Sequence, residues 1–293
     1  MRRWTAIAKA TALEILSEPL SLLVMLTALM LTTLAPALHF HKFGEATRMA
    51  RDSGFSALFI CGAVIAIFGT IRSFRREIET GTAQMALTHP VSRHAFIFSK
   101  VAGSAIALLV FSLTVSAQTC VIVKGAEIGG VVALQNCDIA KLWGPSFALG
   151  MAVIVLPLVI GAVLNRFFDF RFVPTAFALQ LIFAFGAALY RFDWQLIARM
   201  IPAQVLVFAL LTVYLASSAA FAVRFKTNVA VSAVLMFVIA GISLIGNYYL
   251  PEALSNGGRI PWSYVAMASA ALLPALAAFG ALAVCLFNER DIG

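Results

Sequence analysis

Ionisable side chains are confined to short segments of this chain. Between them lie eight stretches that contain none apart from Cys and Tyr: 19–38, 54–71, 101–123, 142–165, 172–190, 200–223, 227–251 and 260–288. Each is 18 residues or longer. A helix that crosses a bilayer needs roughly 20 predominantly apolar residues in succession. Membrane-crossing strands would instead show alternating segments of about 10 residues, and the sequence has none. In hydrocarbon only a helix or a closed barrel satisfies every backbone N–H and C=O group. The expected fold is therefore all-α, a polytopic transmembrane helix bundle of about eight spans. The weakest two, 54–71 and 172–190, make six to eight the working range. Composition agrees, with 62% hydrophobic and 12% charged residues, where a soluble domain carries about a quarter charged.

The net charge of +8 does not point to nucleic acid, because no basic face with interleaved aromatic residues is present. Lys and Arg collect at span ends instead. If both termini are cytoplasmic, the inner segments hold thirteen of them and the outer segments eight, which has the sign of the positive-inside bias. Arg72, Arg75, Arg76, Arg93 and Lys100 fall in one inner loop, while the last outer loop carries only Arg259. The expectation is a multi-pass membrane protein with both ends cytoplasmic.

Cys61, Cys120 and Cys285 fall within spans, where Cys acts as a small hydrophobe. Cys137 sits in an outer loop within conceivable reach of Cys120, and no CxxC or zinc-ligand spacing occurs. His39 and His41 flank Phe40 at a span end with no third ligand nearby, so no metal is expected. Arg2 and Arg3 would suit a cleaved leader, but Glu14, Glu18 and Pro19 interrupt the apolar core it would need.

Ahead of the first span, Trp4, Ile7, Ala8, Thr11, Ile15 and Leu16 share one helical face, with Arg3, Lys9 and Glu14 off it. This pattern predicts an interfacial helix lying against membrane lipid, bent into the first span at Pro19. The segment 71–100 is the longest expected cytoplasmic piece. Ile71, Phe74 and Ile78 form its apolar stripe, Gly81 suits a helix stop, and Pro90 ends a second short turn. Lys100 is expected to snorkel back to the interface. The result is a stiff charged knob tied to two spans, placed to pass force between a cytoplasmic partner and the membrane.

No Walker-type GxxxxGK[ST], HExxH or GxSxG occurs, so no catalytic residues and no cofactor are expected, and the chain is not read as an enzyme. The charge-free spans argue against a proton-coupled carrier. Gln118, Gln180, Gln204 and Asn247 are the polar side chains within spans that either line a path or bond across helices. Ser217 and Ser218, set among alanines, suit close helix packing.

At 71–100 the chain resembles the membrane subunit of an ABC transporter of the type 2 permease family. The resemblance rests on Glu79-Thr80-Gly81-Thr82, Pro90-Val91-Ser92-Arg93 and Lys100. Glu18-Pro19, the stretch from Ser217 to Asn228 and the ending Phe287-Asn288-Glu289-Arg290-Asp291-Ile292 are similar to other family elements. It covers 1–123 and about 204–293; 142–190 looks like an added hairpin or a partly re-entrant segment.

The resemblance implies a single transmembrane domain over 1–293, with an elbow helix at 1–18 and a cytoplasmic coupling segment at 72–98. It implies a permease subunit, more an exporter than an importer. Its partners would be separate cytoplasmic ABC ATPase subunits and a second permease copy or similar chain. Coupling to the ATPase would fall to Arg75, Arg76, Glu77, Glu79, Gly81, Thr82, Pro90 and Arg93. The competing readings are a non-transport membrane anchor, a membrane enzyme with an unrecognised site, and a self-contained carrier or channel.

Overall fold

The computed structural model describes residues 2–38, 46–80, 93–129, 145–248 and 261–288, and among them every regular element is helical. In chain order these are α1 (Arg2–Leu16), α2 (Pro19–Leu38), α3 (Ala46–Val64), a π turn (Ile65–Gly69) and α4 (Thr70–Glu79). There follow α5 (Arg93–Gly129), α6 (Pro145–Phe168), α7 (Phe172–Tyr190), α8 (Trp194–Arg224), α9 (Thr227–Tyr248) and α10 (Trp262–Asn288). Each charge-free stretch carries a helix among its described residues. Six helices among the described residues are long and apolar enough to cross a membrane: Thr47–Glu79, His94–Ala126, Phe147–Phe168, Phe172–Tyr190, Trp194–Arg224 and Trp262–Phe287. Counting α1 and α2 as one broken span makes seven. The chain is thus a polytopic helix bundle, as expected.

Polar residues within these helices are mostly satisfied locally. The hydroxyls of Thr32, Thr33, Ser99, Thr114 and Thr119 each donate to the carbonyl four residues earlier. Such back-bonding removes the cost of an unpaired hydroxyl in an apolar setting. Ser217 and Ser218 are fully buried and both donate to the Tyr214 carbonyl. They leave a small, satisfied surface for packing.

The contacts divide the chain into two compact units. The first comprises residues 1–15, 63–108 and 205–293. In it α1 buries Ala8, Thr11, Ala12 and Ile15 and exposes Trp4 and Lys9. A side chain at Gly103 of α5 would run into the Ala8 carbonyl and Thr11, so only glycine allows this approach of α1. Ile15 packs over Gly69 of the π turn. Here α9 lies against both the π turn and α4, and Phe96 stacks on Phe287 of α10 at 6.0 Å.

The second unit comprises residues 16–62 and 109–204. Its centre is the α6–α7 hairpin, against which α2 packs. Asp169 takes a positive φ of 55° at the hairpin turn, a conformation that Asp tolerates better than most residues. Asn165 clamps the turn by donating its side-chain N–H to the Phe170 carbonyl at 2.6 Å. Ala117 and Val121 of α5 meet Val153, Ala184 and Ala187 in one apolar cluster. Ala50, Ile122, Val123, Leu196 and Met200 form another. At Gly150 an added Cβ would lie 2.9 Å from the Thr33 methyl and 3.1 Å from Gln118 Nε2, so the helices meet there without room for a side chain.

Candidate functional site

The α4 helix, TIRSFRREIE, buries Thr70, Ile71, Ser73 and Phe74. Ile78 is half-buried and Arg72, Arg76 and Glu79 are exposed, so the apolar stripe lies where the spacing put it. Directly before α4 the backbone widens into the π turn, whose Ile65, Ala66, Ile67 and Gly69 are buried. Single π turns inside long helices are concentrated at functional sites.

Ser73 and Glu77, one turn apart on the same face, meet Lys100 of α5. The Lys100 ammonium donates to the Ser73 carbonyl at 2.9 Å and to its hydroxyl oxygen at 3.1 Å, and lies 2.9 Å from Glu77 Oε1. It also stands 5.0 Å from the Phe74 ring centroid and 6.0 Å from that of Phe96, within reach of the attraction between a cation and an aromatic face. The Ser73 hydroxyl donates in turn to Glu14 Oε2 of α1 at 2.9 Å, and Glu14 Oε1 lies 3.8 Å from Arg76 Nη1. One connected set of charge-assisted bonds therefore joins α1, α4 and α5. Its two cations and two carboxylates balance, which is the condition for holding a charged group out of water.

Lys100 corrects the expectation that it would reach out to the interface. It has no exposed surface and turns inward onto α4. The sequence places it only by its distance from the nearest charges; the α4 and α5 faces that meet are set by packing.

Of the residues expected to couple to an ATPase, Arg76 and Glu77 belong to this network. Arg75 and Glu79 form a separate pair at 2.6 Å, one turn apart. Arg93 is the first residue of α5. Gly81, Thr82 and Pro90 lie outside the described residues, as do Cys137, His39 and His41. The α4 helix ends with the Thr80 N–H and hydroxyl both bonded to the Arg76 carbonyl, at 2.9 and 2.8 Å. Glu14, Ser73, Phe74, Phe96 and Lys100 were not singled out as site residues. The i, i+4 spacing of Ser73 and Glu77 is the one local signal that could have found them.

In the second unit, Lys124 of α5 pairs with Asp193, whose Oδ1 also accepts from the N–H groups of Gln195 and Leu196 at 2.9 and 3.3 Å. Asp193 therefore caps α8. The bond from Lys124 is the main cause that holds its carboxyl below the ordinary value, with the Leu196 N–H next.

No curated protein and no solved structure matches the chain significantly. A family model described as "ABC-2 family transporter protein" matches residues 15–186. The match takes in α2 to α6 and most of α7, including the α4 network apart from Glu14. An all-helical membrane bundle, a charged helix end anchored between α1 and α5, and a match over more than half the sequence converge: this chain belongs to the ABC-2 transporter family and is a permease component of an ABC transporter.

Proposed function

We propose that the chain works as an exporter subunit in a bacterial-type inner membrane, with both termini cytoplasmic, driven by ATP hydrolysis on a separate ABC ATPase. The 72–98 segment is its coupling element and docks as a helix in a groove on that ATPase. The observation that carries this reading is the Lys100–Ser73–Glu77–Glu14 network. A force applied to the end of α4 reaches α1 and α5 through bonds between stiff helices, not through a loose loop. Closure of an ATPase pair would then shift the spans as units.

The supporting residues for the contact itself are Arg75, Arg76, Glu79, Gly81, Thr82, Pro90 and Arg93, on and beyond the end of α4. A second permease copy is supported by α10. Only 11% of the residues in its most apolar stretch are buried within the chain, which leaves most of them for lipid or another copy. The residues 1–18 serve as the interfacial elbow, with Trp4 and Lys9 exposed beside the buried face. The 142–190 hairpin, most of which the family match takes in, belongs to the same single domain.

The test is affinity purification of the tagged chain from its native cells in mild detergent, with partners identified by mass spectrometry. An ABC ATPase should accompany the wild-type chain and be lost from Glu79→Ala combined with Gly81→Pro. Absence of any ATPase from both samples would overturn the reading in favour of a membrane anchor or enzyme.

A further inference from the structure

Gln180, midway along α7, has no exposed surface, and neither its amide nitrogen nor its amide oxygen has a hydrogen-bond partner among the described residues. Its surroundings are set by the hairpin register. Gly161 faces Ala176, and Val153 shares a cluster with Ala184. Between these two pairings the antiparallel register brings Pro157 of α6 opposite Gln180. Pro157 is buried inside its helix and has no N–H. The Val153 carbonyl one turn earlier therefore lacks its normal helical donor. Two turns further along the hairpin, Gln118 donates to the Thr33 hydroxyl at 2.9 Å and to the Gly150 carbonyl at 3.2 Å. Its own amide oxygen is buried and unpartnered among the described residues.

Buried amides are satisfied in the great majority of native positions, because leaving one unpaired forfeits its hydration for nothing. The cluster one turn further along α7, with Val153, Ala184 and Ala187, is wholly apolar, and leucine has nearly the same volume as glutamine. Retaining the amide therefore weakens the resting state, and such a violation marks a functional position. The charge-free character of 19–38, 109–123, 145–165 and 172–190 fixes the chemistry on offer: amide N–H, amide C=O, hydroxyl and a freed backbone carbonyl, with no ion.

We propose that Gln180, the Val153 carbonyl and Gln118 Oε1 form a membrane-embedded binding site for an uncharged hydroxyl- or amide-bearing group of the transported substrate. This rests on the transport reading above. Gln118 of α5 reaches the hairpin at Gly150, an axial offset of roughly 10 Å from the level of Gln180 at a rise of about 1.5 Å per residue, so one molecule with two polar groups or two successive positions of one group would use both.

The experiment uses the complete chain co-purified with its ATPase, in a background with Cys61, Cys120, Cys137 and Cys285 replaced by Ala. Gln180→Leu should raise the thermal unfolding midpoint by a few degrees; a decrease overturns the proposal, because it would show that the amide is satisfied in the resting protein. Gln180→Cys is then exposed to N-ethylmaleimide, an uncharged imide, and to a sulfonate-bearing maleimide. Labelling by N-ethylmaleimide should be several-fold faster during ATP turnover than without nucleotide, and the anionic reagent should gain nothing. Equal rates with and without ATP, or equal reaction with both reagents, overturn the proposal. The ATPase band in the same samples separates the two readings: its absence sinks the permease assignment, whereas its presence with nucleotide-independent labelling sinks only the site.

Discussion

Lys100 holds its ammonium 2.9 Å from a Glu77 carboxylate oxygen while exposing none of its own surface. Ser73 completes the contact from one turn earlier on α4 and hands it on to Glu14 of α1. A buried cation of this kind specifies an arrangement more than it adds net stability, since desolvation offsets much of the Coulombic gain. Breaking it from one side is nonetheless costly, because the remaining charges lose their balance.

Lys100→Met should therefore destabilise the chain by about 3 kcal/mol, the lower end of the range for a broken buried pair, because Glu77 keeps 27% of its side chain exposed. Adding Glu77→Gln should restore part of that loss. Thermal or denaturant unfolding of the two single variants and the double variant checks it. Additive losses would show that the two groups act independently.

Ser73→Ala removes the hydroxyl that links Lys100 to Glu14 and should cost about 1.5–3 kcal/mol, as expected for a hydrogen bond to charged groups. Its effect on ATP-driven transport should exceed its effect on stability if α1 and α4 must move together. The comparison to make is transport against unfolding midpoint for Ser73→Ala and for an exposed control, Lys9→Ala.

Gly103→Ala should loosen α1 from α5, at a cost of about 1–3 kcal/mol for an overpacked contact, because the new methyl meets the Ala8 carbonyl. Limited proteolysis at Lys9 reads this directly. Faster cleavage with an intact remainder is the expected result, and an unchanged rate would refute the close approach.

The Lys124–Asp193 pair makes the chain acid-sensitive in a predictable direction. The hydrogen bond from Lys124, then those from Leu196 and Gln195, favour the ionised carboxyl and depress its folded pKa. That contribution is full above the unfolded value of about 3.9 and is lost as pH falls through the lower folded value. Wild type should thus be more stable than Asp193→Asn at neutral pH, with the difference vanishing in strong acid. Asn retains the capping geometry, so the pair is isolated from the cap.

Gln118→Leu loses bonds to Thr33 and Gly150 and should lower stability by less than about 2 kcal/mol, the upper end for hydrogen bonds between membrane helices. Its sign is opposite to that expected for Gln180→Leu, and unfolding midpoints measured on the same preparation discriminate them.

Much of the architecture was legible in the chain itself. Each of the eight charge-free stretches carries a helix among its described residues, and the amphipathic pattern of 3–17 became α1, with Ala8, Thr11 and Ile15 buried. The stripe of Ile71, Phe74 and Ile78 marked the face that α4 turns inward. These features are local. Helix formation in hydrocarbon follows from backbone hydrogen bonding, and the face a helix buries follows from a repeat of 3.6 residues. The family resemblance, read on Glu79-Thr80-Gly81-Thr82 and Pro90-Val91-Ser92-Arg93, led to the family that the match over residues 15–186 shows.

Partner choice across helices was not legible. Lys100 read as a snorkelling residue, and the structure makes it the centre of a network with Ser73, Glu77 and Glu14. Gln118 and Gln180 read alike, yet one bonds to Thr33 and Gly150 while the other has no partner among the described residues. What separates such residues is the rotation and axial register of neighbouring helices. These are set by close approaches at Gly103 and Gly150 and by the α6–α7 turn at Asp169. The sequence determined where helices form and which faces are apolar, because those depend on neighbours within one turn. Only the tertiary structure decided which polar groups meet, because side chains from distant segments satisfy one another only after their backbones have packed.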